Sequence, residues 1–259
     1  MLRPLFEGTE HLIFNGDTVE TCSKSLYEKA CVMLHDLEGH LAQGGHATTI
    51  LRGNHDPDLP GEPWQYLENG EVMVTHGDIC FRFGSPWSPW VPGIQHKLEA
   101  LEAARGGLDQ VTTLQGRAEL ARDYAMAFHP RARYFKGKLG KLETLYHAAW
   151  PPRTSLTILK IWLNGPDMVA EWLETFAPEV KVLVMGHTHR AGLWFKRGRW
   201  IVNTGAFHPF GNPQLVDYAP GKLILRAIRA RRAAFHPGAC TAVLEKHEGS
   251  GQWRKGSAP

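Results

Sequence analysis

The chain has 259 residues, of which 43% are apolar and 21% are charged, and its formal net charge is +3. This composition supports a sizeable core and argues against a globally disordered chain. The length fits one large domain or two small ones, and the small net charge gives no strong sign of nucleic-acid binding.

The cysteines and the first residues indicate a compartment. The four cysteines form no Cys-x-x-Cys pair and match no zinc-knuckle spacing, so we expect free thiols in a reducing environment. The start has no apolar stretch typical of a signal peptide, and no apolar run approaches the roughly 20 residues that span a bilayer. These features predict a cytoplasmic protein without a transmembrane segment.

The first third of the sequence alternates predicted strands with a helix, and its strands end in glycine followed by polar residues. This order is typical of an α/β sheet whose functional residues lie along one edge. In chain order, the predicted elements are a strand at 11–15, a helix that starts from a capping box at 25–28 and ends at 44–45, a strand at 47–51, a loop at 57–63, a strand at 71–75 and a further strand at 79–83.

The last third of the sequence contains several short predicted strands. Residues 181–185 form a buried strand, and further strands follow near 193–195, 200–203 and 222–228. Their close spacing predicts a more antiparallel second half. We expect residues 251–259 to form a flexible tail.

Residues 85–165 differ in character from the rest of the chain. They begin with a rigid aromatic loop, Ser85–Trp90, and continue as mostly helical sequence with eleven Lys or Arg and six Asp or Glu, a balance of +5. This helical insertion could roof a site for an anionic ligand, or it could be a solvated helical face. The predicted organisation is therefore one domain over residues 1–250 that carries a helical cap insertion at 85–165.

A second basic segment contains Arg226, Arg229, Arg231 and Arg232. It could touch nucleic acid or an anionic membrane, so peripheral membrane contact stays open. The alternative is a solvated strand edge whose charges prevent pairing with other chains.

Metal-type ligands follow several of the predicted strands. Carboxylate oxygen, amide oxygen and imidazole nitrogen together suit a borderline divalent ion such as Mn, Fe, Zn, Co or Ni. The chain has 14 histidines, so a single one means little, but two histidines separated by one residue after a buried strand are a stronger signal. The candidate ligands are Asp17, Asn54, His76, His187 and His189.

The stretch Gly53–Asp56 adds a candidate catalytic residue. The ring of His55 can donate a proton or a hydrogen bond, and Asp56 could hold that ring in one tautomer. An ordinary turn is the alternative, although three such residues after a glycine are unusual in a turn.

Four motifs, in their order along the chain, resemble those of the calcineurin-like metallophosphoesterase superfamily: Gly16-Asp17, Gly53-Asn54-His55-Asp56, His76-Gly77 and Gly186-His187-Thr188-His189. Asn203-Thr204-Gly205 also resembles the family. The resemblance implies an α/β fold in which a two-sheet sandwich is flanked by helices. It further implies that the motifs converge on a dinuclear metal site.

The resemblance also implies a role for each candidate ligand. Asp17 would bridge two ions, about 3.5–4 Å apart in such sites. One ion would be completed by Asn54, His76 and His187, and the other would be bound by His189.

The implied activity is that of a metal-dependent phosphoesterase. It would cleave a phosphomonoester, phosphodiester or pyrophosphate bond of a phosphate-containing substrate by attack of a metal-bound hydroxide. His55 would supply a proton or hydrogen bond to the leaving group, and Asp56 would orient His55.

The sequence departs from the family pattern near its start. The family opens with an Asp-x-His motif at the end of its first strand, and no Asp in this chain is followed two residues later by His. The predicted fold therefore lacks that first strand. Three explanations stay open: the sequence as given lacks an N-terminal segment, the protein works with one ion, or it is a degenerate, non-catalytic scaffold for protein interaction. A milder departure is Glu20, where the family often has Asp.

Overall fold

The computed structural model describes residues 2–23, 26–88, 91–128, 152–207 and 212–257, with side chains described from residue 156 onward in the helix that begins at 152. The helices are α1 (Tyr27–Gln43), α2 (Val91–Ala103), α3 (Leu114–Ala127) and α4 (Pro152–Phe176). The strands are β1 (His11–Asn15), β2 (Ala47–Leu51), β3 (Trp64–Leu67), β4 (Val72–Thr75), β5 (Val182–Met185), β6 (Gly192–Lys196), β7 (Arg199–Asn203), β8 (Gln214–Ala219), β9 (Lys222–Arg231), β10 (Ala234–Lys246) and β11 (Trp253–Gly256).

The strands form three sheets. β1 and β2 pair in parallel, with α1 as the connection between them. The second sheet has the order β3-β4-β5-β7-β6, and its three central strands run parallel to one another. The third sheet, β11-β10-β9-β8, is antiparallel throughout. The prediction of a more antiparallel second half is therefore confirmed.

One face of the five-stranded sheet packs against the four-stranded sheet. Val72 and Val184 on the first sheet share a buried cluster with Leu223 and Leu244 on the second. Side chains alternate between the two faces of a strand, so every second residue of these strands points into this layer. The two sheets thus form a sandwich.

The opposite face of the five-stranded sheet packs against helices. Met73 and Leu183, the alternate residues of β4 and β5, contact a cluster that includes Leu173 of α4 and Ala121 of α3. The architecture is therefore a two-sheet sandwich flanked by helices, as the sequence predicts.

The strand predicted at 79–83 is wrong. Asp78–Cys80 forms a short 3-10 helix, and Gly77 before it has a left-handed backbone with a φ of 111° that turns the chain out of β4. Ile79 and Phe81 are buried against the helical layer, which explains the apolar pattern without any strand pairing.

The basic segment near 226–232 lies mostly on β9, which pairs with β10 on one side and, over residues 222–227, with β8 on the other. Arg226 lies inside the β8 pairing, with its Nε 2.7 Å from a carboxylate oxygen of Asp217. Arg229 and Arg231 lie beyond that pairing, are exposed and pair with β10 alone among the described residues, as the prediction of a solvated strand edge expects. The long strand β10 escapes a pattern search because it contains Pro237 and Gly238, near which its register to β9 shifts.

The segment predicted to be a helical insertion, residues 85–165, contains α2, α3 and the first part of α4. Its predicted end at residue 165 lies inside α4, which continues through Pro166 to Phe176. The predicted capping residue Ser25 and the second loop tryptophan, Trp90, lie outside the described residues. None of the helices in the described part of the chain combines the length and apolar character needed to cross a membrane.

The prediction of a flexible tail at 251–259 is wrong for Trp253–Gly256, which form β11. Trp253 at the start of β11 is 6% exposed and packs in the layer between the two sheets. Its indole nitrogen donates to the Glu71 carboxylate at 3.0 Å, and its carbonyl oxygen accepts a hydrogen bond from the Trp200 indole at 2.9 Å. The tail is therefore docked through residue 256.

We expect Trp253→Ala to lower the free energy of unfolding by about 3–5 kcal/mol, because it opens a cavity in the core. Urea unfolding followed by circular dichroism measures this change. Phe195→Ala is the matched control, since Phe195 is 56% exposed and should cost much less. Equal stability of Trp253→Ala and the unsubstituted protein would show that the tail is not docked.

Candidate functional site

The strand ends bring the predicted ligands together. Asp17 follows β1 and Asn54 follows β2, and these strands are parallel. His76 follows β4 and His187 follows β5, which are also parallel neighbours. Carboxyl ends of parallel strands share one edge, where α/β proteins commonly place their sites. Four predicted ligands therefore reach one pocket.

The contacts of this pocket centre on one atom, Nε2 of His76. It lies 3.2 Å from Oδ2 of Asp17, 3.0 Å from Oδ1 of Asn54 and 2.9 Å from Nδ1 of His187. His76 and His187 are 3% and 5% exposed, so these contacts are shielded from water.

Backbone carbonyl groups determine which ring nitrogens carry protons. Nδ1 of His76 lies 3.2 Å from the carbonyl oxygen of Asn15, and Nε2 of His187 lies 3.0 Å from that of Gly84. A carbonyl oxygen only accepts hydrogen bonds, so each outer nitrogen is the N–H and each inner nitrogen is left with a lone pair. When both rings are neutral, the lone pairs of their inner nitrogens therefore face each other. A cation between them would relieve this repulsion.

This donor set fits a divalent metal ion. Ligands about 2.0–2.2 Å from an ion are about 3 Å from each other, similar to the distances around His76. Mixed carboxylate, amide and imidazole ligands suit borderline ions. Among the described residues, no group of three or more His, Cys, Asp or Glu side chains is already arranged as a metal site. In the metal-free pocket, Nε2 of His76 instead contacts the Asp17 carboxylate, the His187 ring and the Asn54 amide directly.

Charge interactions in the pocket are strong. Burial opposes protonation of His76, but the charge of Asp17, the hydrogen bond to it and the nearby charges of Asp78 and Asp56 together raise the pKa of His76 from 6.5 to about 9. Burial likewise opposes the charge of Asp17, and His76 nevertheless lowers the pKa of that carboxyl far below its usual value. Burial and repulsion from His76 hold the pKa of His187 well below its usual value. The metal-free pocket thus holds one proton, on His76, where a metal ion would otherwise supply the positive charge.

Glu20, and not Asp56, contacts the ring of His55. Nδ1 of His55 lies 2.6 Å from Oε2 of Glu20, and the other Glu20 oxygen accepts from the backbone nitrogen of Ser23. Burial opposes protonation of His55, but the hydrogen bond to Glu20 and the charges of Asp17 and Glu20 together raise the pKa of the ring. The expectation that Asp56 orients His55 is wrong, and the longer Glu20 side chain takes that role.

Asp56 holds the two loops of the pocket together. It is fully buried, and its carboxylate accepts hydrogen bonds from the backbone nitrogens of Gly53, Asp17, Thr18 and Val19 at 2.6, 3.2, 2.6 and 3.3 Å. These donors belong to the loops after β1 and β2. The short Asp side chain therefore fixes Asp17 beside Asn54.

His189 follows His187 by two residues and is exposed, and its charge is near enough to His187 to lower the pKa of that ring. Asp17, His187 and His189 all have left-handed backbone conformations, with φ values of 52°, 51° and 56°. Such strained residues cost about 1–3 kcal/mol each and cluster at functional sites.

Asn203 at the end of β7 holds the strained turn in place. It is 3% exposed, and its amide donates to the carbonyl of Gly186 at 2.5 Å and to the hydroxyl of Thr188 at 2.8 Å. Its amide oxygen accepts from the backbone nitrogen of Gly205 at 2.9 Å. The sequence marks this residue only through its resemblance to a family motif, and no local pattern indicates its role.

The pocket leaves no space for a side chain at residue 53. A Cβ atom at Gly53 would overlap the Asp17 carboxylate and lie 2.7 Å from the Asp17 nitrogen. We expect Gly53→Ala to lower the free energy of unfolding by about 1–3 kcal/mol through overpacking, and to weaken Mn²⁺ binding. Gly39→Ala in α1 is the control, because nothing lies within 4 Å of its added methyl group. Unchanged Mn²⁺ binding by Gly53→Ala, measured by electron paramagnetic resonance, would contradict this packing.

The raised pKa of His76 predicts a pH dependence of stability for the metal-free protein. The folded state holds the His76 proton more tightly than the unfolded state, so this stabilisation is present below pH 6.5 and is lost as the pH rises through about 9. Burial raises the pKa of Asp78 to about 6, so Asp78 loses its proton mostly below this pH range. The free energy of unfolding in urea with chelator should fall by about 1–3 kcal/mol across the window. His76→Gln should remove most of the slope, and a rising or flat profile in the unsubstituted protein would refute the ion pair.

Comparison with known proteins agrees with this geometry. The model of the calcineurin-like phosphoesterase family matches residues 3–191. No curated protein matches the chain. A structure of Vacuolar Protein Sorting 29 from Cryptosporidium parvum is 22% identical with a TM-score of 0.24, over 31% of this chain and 45% of that chain. A single mutant of Vps29 from Entamoeba histolytica is 11% identical with a TM-score of 0.34, over 98% of this chain and 86% of that chain.

Both TM-scores are low, so the assignment rests on the family match. That match spans well over half of the sequence and includes Asp17, Asn54, His76 and His187. Members of this family are typically hydrolases of phosphate esters that bind divalent metal ions. The chain therefore belongs to the calcineurin-like phosphoesterase family.

Proposed function

We propose that the protein is a metal-dependent phosphoesterase that hydrolyses a phosphomonoester, phosphodiester or pyrophosphate bond. The observation that carries the proposal is that Oδ2 of Asp17, Oδ1 of Asn54 and Nδ1 of His187 all lie within 3.2 Å of Nε2 of His76, in a pocket that also holds the His55–Glu20 pair. A pocket that needs a cation and a neighbouring proton donor are the two components that phosphate ester hydrolysis requires.

The proposal assigns the metal ligands by their positions. Asp17, Asn54, His76 and His187 would hold one divalent ion, and His189 would contribute to a second ion with Asp17. When bound, such ions activate water at neutral pH and neutralise charge on phosphate oxygens. The buried carbonyl partners of His76 and His187 hold the outer N–H of each ring, which orients the ring and leaves its inner nitrogen to face the ion.

His55 would act on the leaving group. Its side chain is 50% exposed, so a substrate can reach it, and Glu20 holds its Nδ1–H at 2.6 Å. This leaves Nε2 as the ring atom that meets the substrate. The raised pKa of the ring favours its protonated form, which can donate to the departing oxygen.

The positive charge of the predicted helical insertion is consistent with an anionic substrate. Residues 85–165 carry a balance of +5 and lie between His76 and His187 in the sequence. We propose that this insertion forms a cap beside the site within one domain, and that the substrate is a phosphate ester in the cytoplasm. The ring centres of Trp87 and His187 are 4.8 Å apart, so Trp87 forms part of the pocket wall.

Hydrolysis of chromogenic esters in Mn²⁺ tests the proposal. We expect the unsubstituted protein to cleave bis-(p-nitrophenyl) phosphate or p-nitrophenyl phosphate, and His55→Ala to lower kcat by about 10²–10⁴-fold, the usual contribution of a general acid. The loss should be greater for phenyl than for nitrophenyl esters, because a poorer leaving group depends more on proton donation.

Two controls make this result specific. His35→Ala, on the exposed surface of α1, should keep full activity. Asn54→Ala should lower Mn²⁺ affinity and activity together. If the protein binds Mn²⁺, Co²⁺, Zn²⁺, Fe²⁺ and Ni²⁺ without hydrolysing any of these esters, or binds none of these ions, the non-catalytic scaffold is the better description.

A further inference from the structure

The loop over residues 78–87, here called the bracing loop, supplies the hydrogen-bond acceptor for His187. The carbonyl oxygen of Gly84 lies 3.0 Å from Nε2 of His187. Phe83 and Gly84 are consecutive residues with left-handed backbones, with φ values of 63° and 65°. A bulky residue in this conformation is strained, so other contacts must hold the carbonyl in its position.

An ion pair ties this loop to the helical insertion. The guanidinium of Arg82 donates from Nε and Nη2 to the two oxygens of Glu102 at 2.8 and 2.7 Å. Glu102 lies in α2 and is 5% exposed. The hydroxyl of Tyr124 in α3 donates to the same carboxylate at 2.6 Å. A two-point Arg–carboxylate contact fixes orientation as well as distance.

The residues around the ion pair leave the loop little freedom. The Arg82 guanidinium lies 4.5 Å from the ring centre of Phe83, and that ring meets Tyr124 edge-on at 5.6 Å. At the other end of the loop, Arg117 of α3 donates to the carbonyl of Ile79 at 3.2 Å. Helices α2 and α3 therefore bind the loop on both sides of Phe81, at Ile79 and at Arg82. The ring of Phe81 contacts that of His187.

We propose that Arg82 and Glu102 are positioning residues that, through the Gly84 carbonyl, keep the His187 proton on Nε2 and its Nδ1 lone pair free for a divalent cation. This proposal rests on the proposed function only in naming the cation. A neutral imidazole has one N–H, and the acceptor it meets selects the tautomer. Partners of this kind typically alter metal affinity by about 10–100-fold when they are removed.

The alternative is a purely structural ion pair, and a matched variant separates the two. Arg105, just after α2, also pairs with α3 through Asp123, but among the described residues it forms no hydrogen bond or ion pair with the bracing loop. Arg105→Met should therefore remove a similar interaction without changing the histidine. Arg82→Met removes both hydrogen bonds to Glu102. Arg82→Lys keeps the positive charge without the planar two-point contact, and Glu102→Gln keeps the side-chain shape without the negative charge.

The test reads the tautomer and the affinity separately. Ring ¹⁵N shifts of His187 are measured in metal-free protein at about pH 10, above the pKa of about 9 of His76, so that no His76 proton holds Nδ1 of His187. Mn²⁺ affinity is measured by calorimetry at about pH 8, above the ordinary histidine pKa. We expect Arg82→Met and Glu102→Gln to mix the two His187 tautomers and weaken Mn²⁺ binding by about 10–100-fold. Arg82→Lys should give a smaller change, and Arg105→Met should change neither quantity.

Two results would overturn the proposal. One is an Nε2–H tautomer and unchanged affinity in folded Arg82→Met, Arg82→Lys and Glu102→Gln. The other is an equal loss of affinity in Arg105→Met, which would indicate general loosening of the helices. If the unsubstituted protein binds no Mn²⁺, the proposed function fails, and the ¹⁵N shifts still decide whether the ion pair sets the tautomer.

Discussion

The site depends on where two protons lie. The carbonyl groups of Asn15 and Gly84 hold the outer N–H groups of His76 and His187, so both inner nitrogens turn lone pairs toward the Asp17 carboxylate and the Asn54 amide. Lone pairs at these distances repel one another unless a cation joins them. Without metal, a proton on His76 meets this need, and in the proposed enzyme a divalent ion does so.

The rest of the fold serves to keep this unfavourable arrangement in place. The sheet sandwich aligns the strand ends, and Asp56 and Asn203 then fix the loops with buried hydrogen bonds. Left-handed backbone at Asp17 and His187 adds strain that only such surroundings can hold. Each fixing residue is buried and fully bonded, which is the condition under which polar groups in a core specify one geometry.

Sequence patterns predicted much of this arrangement, and the misses have physical causes. Short apolar strands that end in glycine and polar residues located the pocket, because strand direction places their ends together. The orienting role predicted for Asp56 belongs to Glu20, since spacing along the chain cannot tell which carboxylate reaches the His55 ring. The Gly84 carbonyl has no sequence signal at all, because every residue carries that group. β11 was missed because its burial depends on contacts distant in sequence.

Anomalous diffraction from crystals of the protein grown with Mn²⁺ would locate the ion in the pocket. We expect a peak about 2.0–2.4 Å from Oδ2 of Asp17, Oδ1 of Asn54, Nε2 of His76 and Nδ1 of His187. A saturated crystal in which these four atoms keep their mutual contacts, with no ion between them, would contradict it.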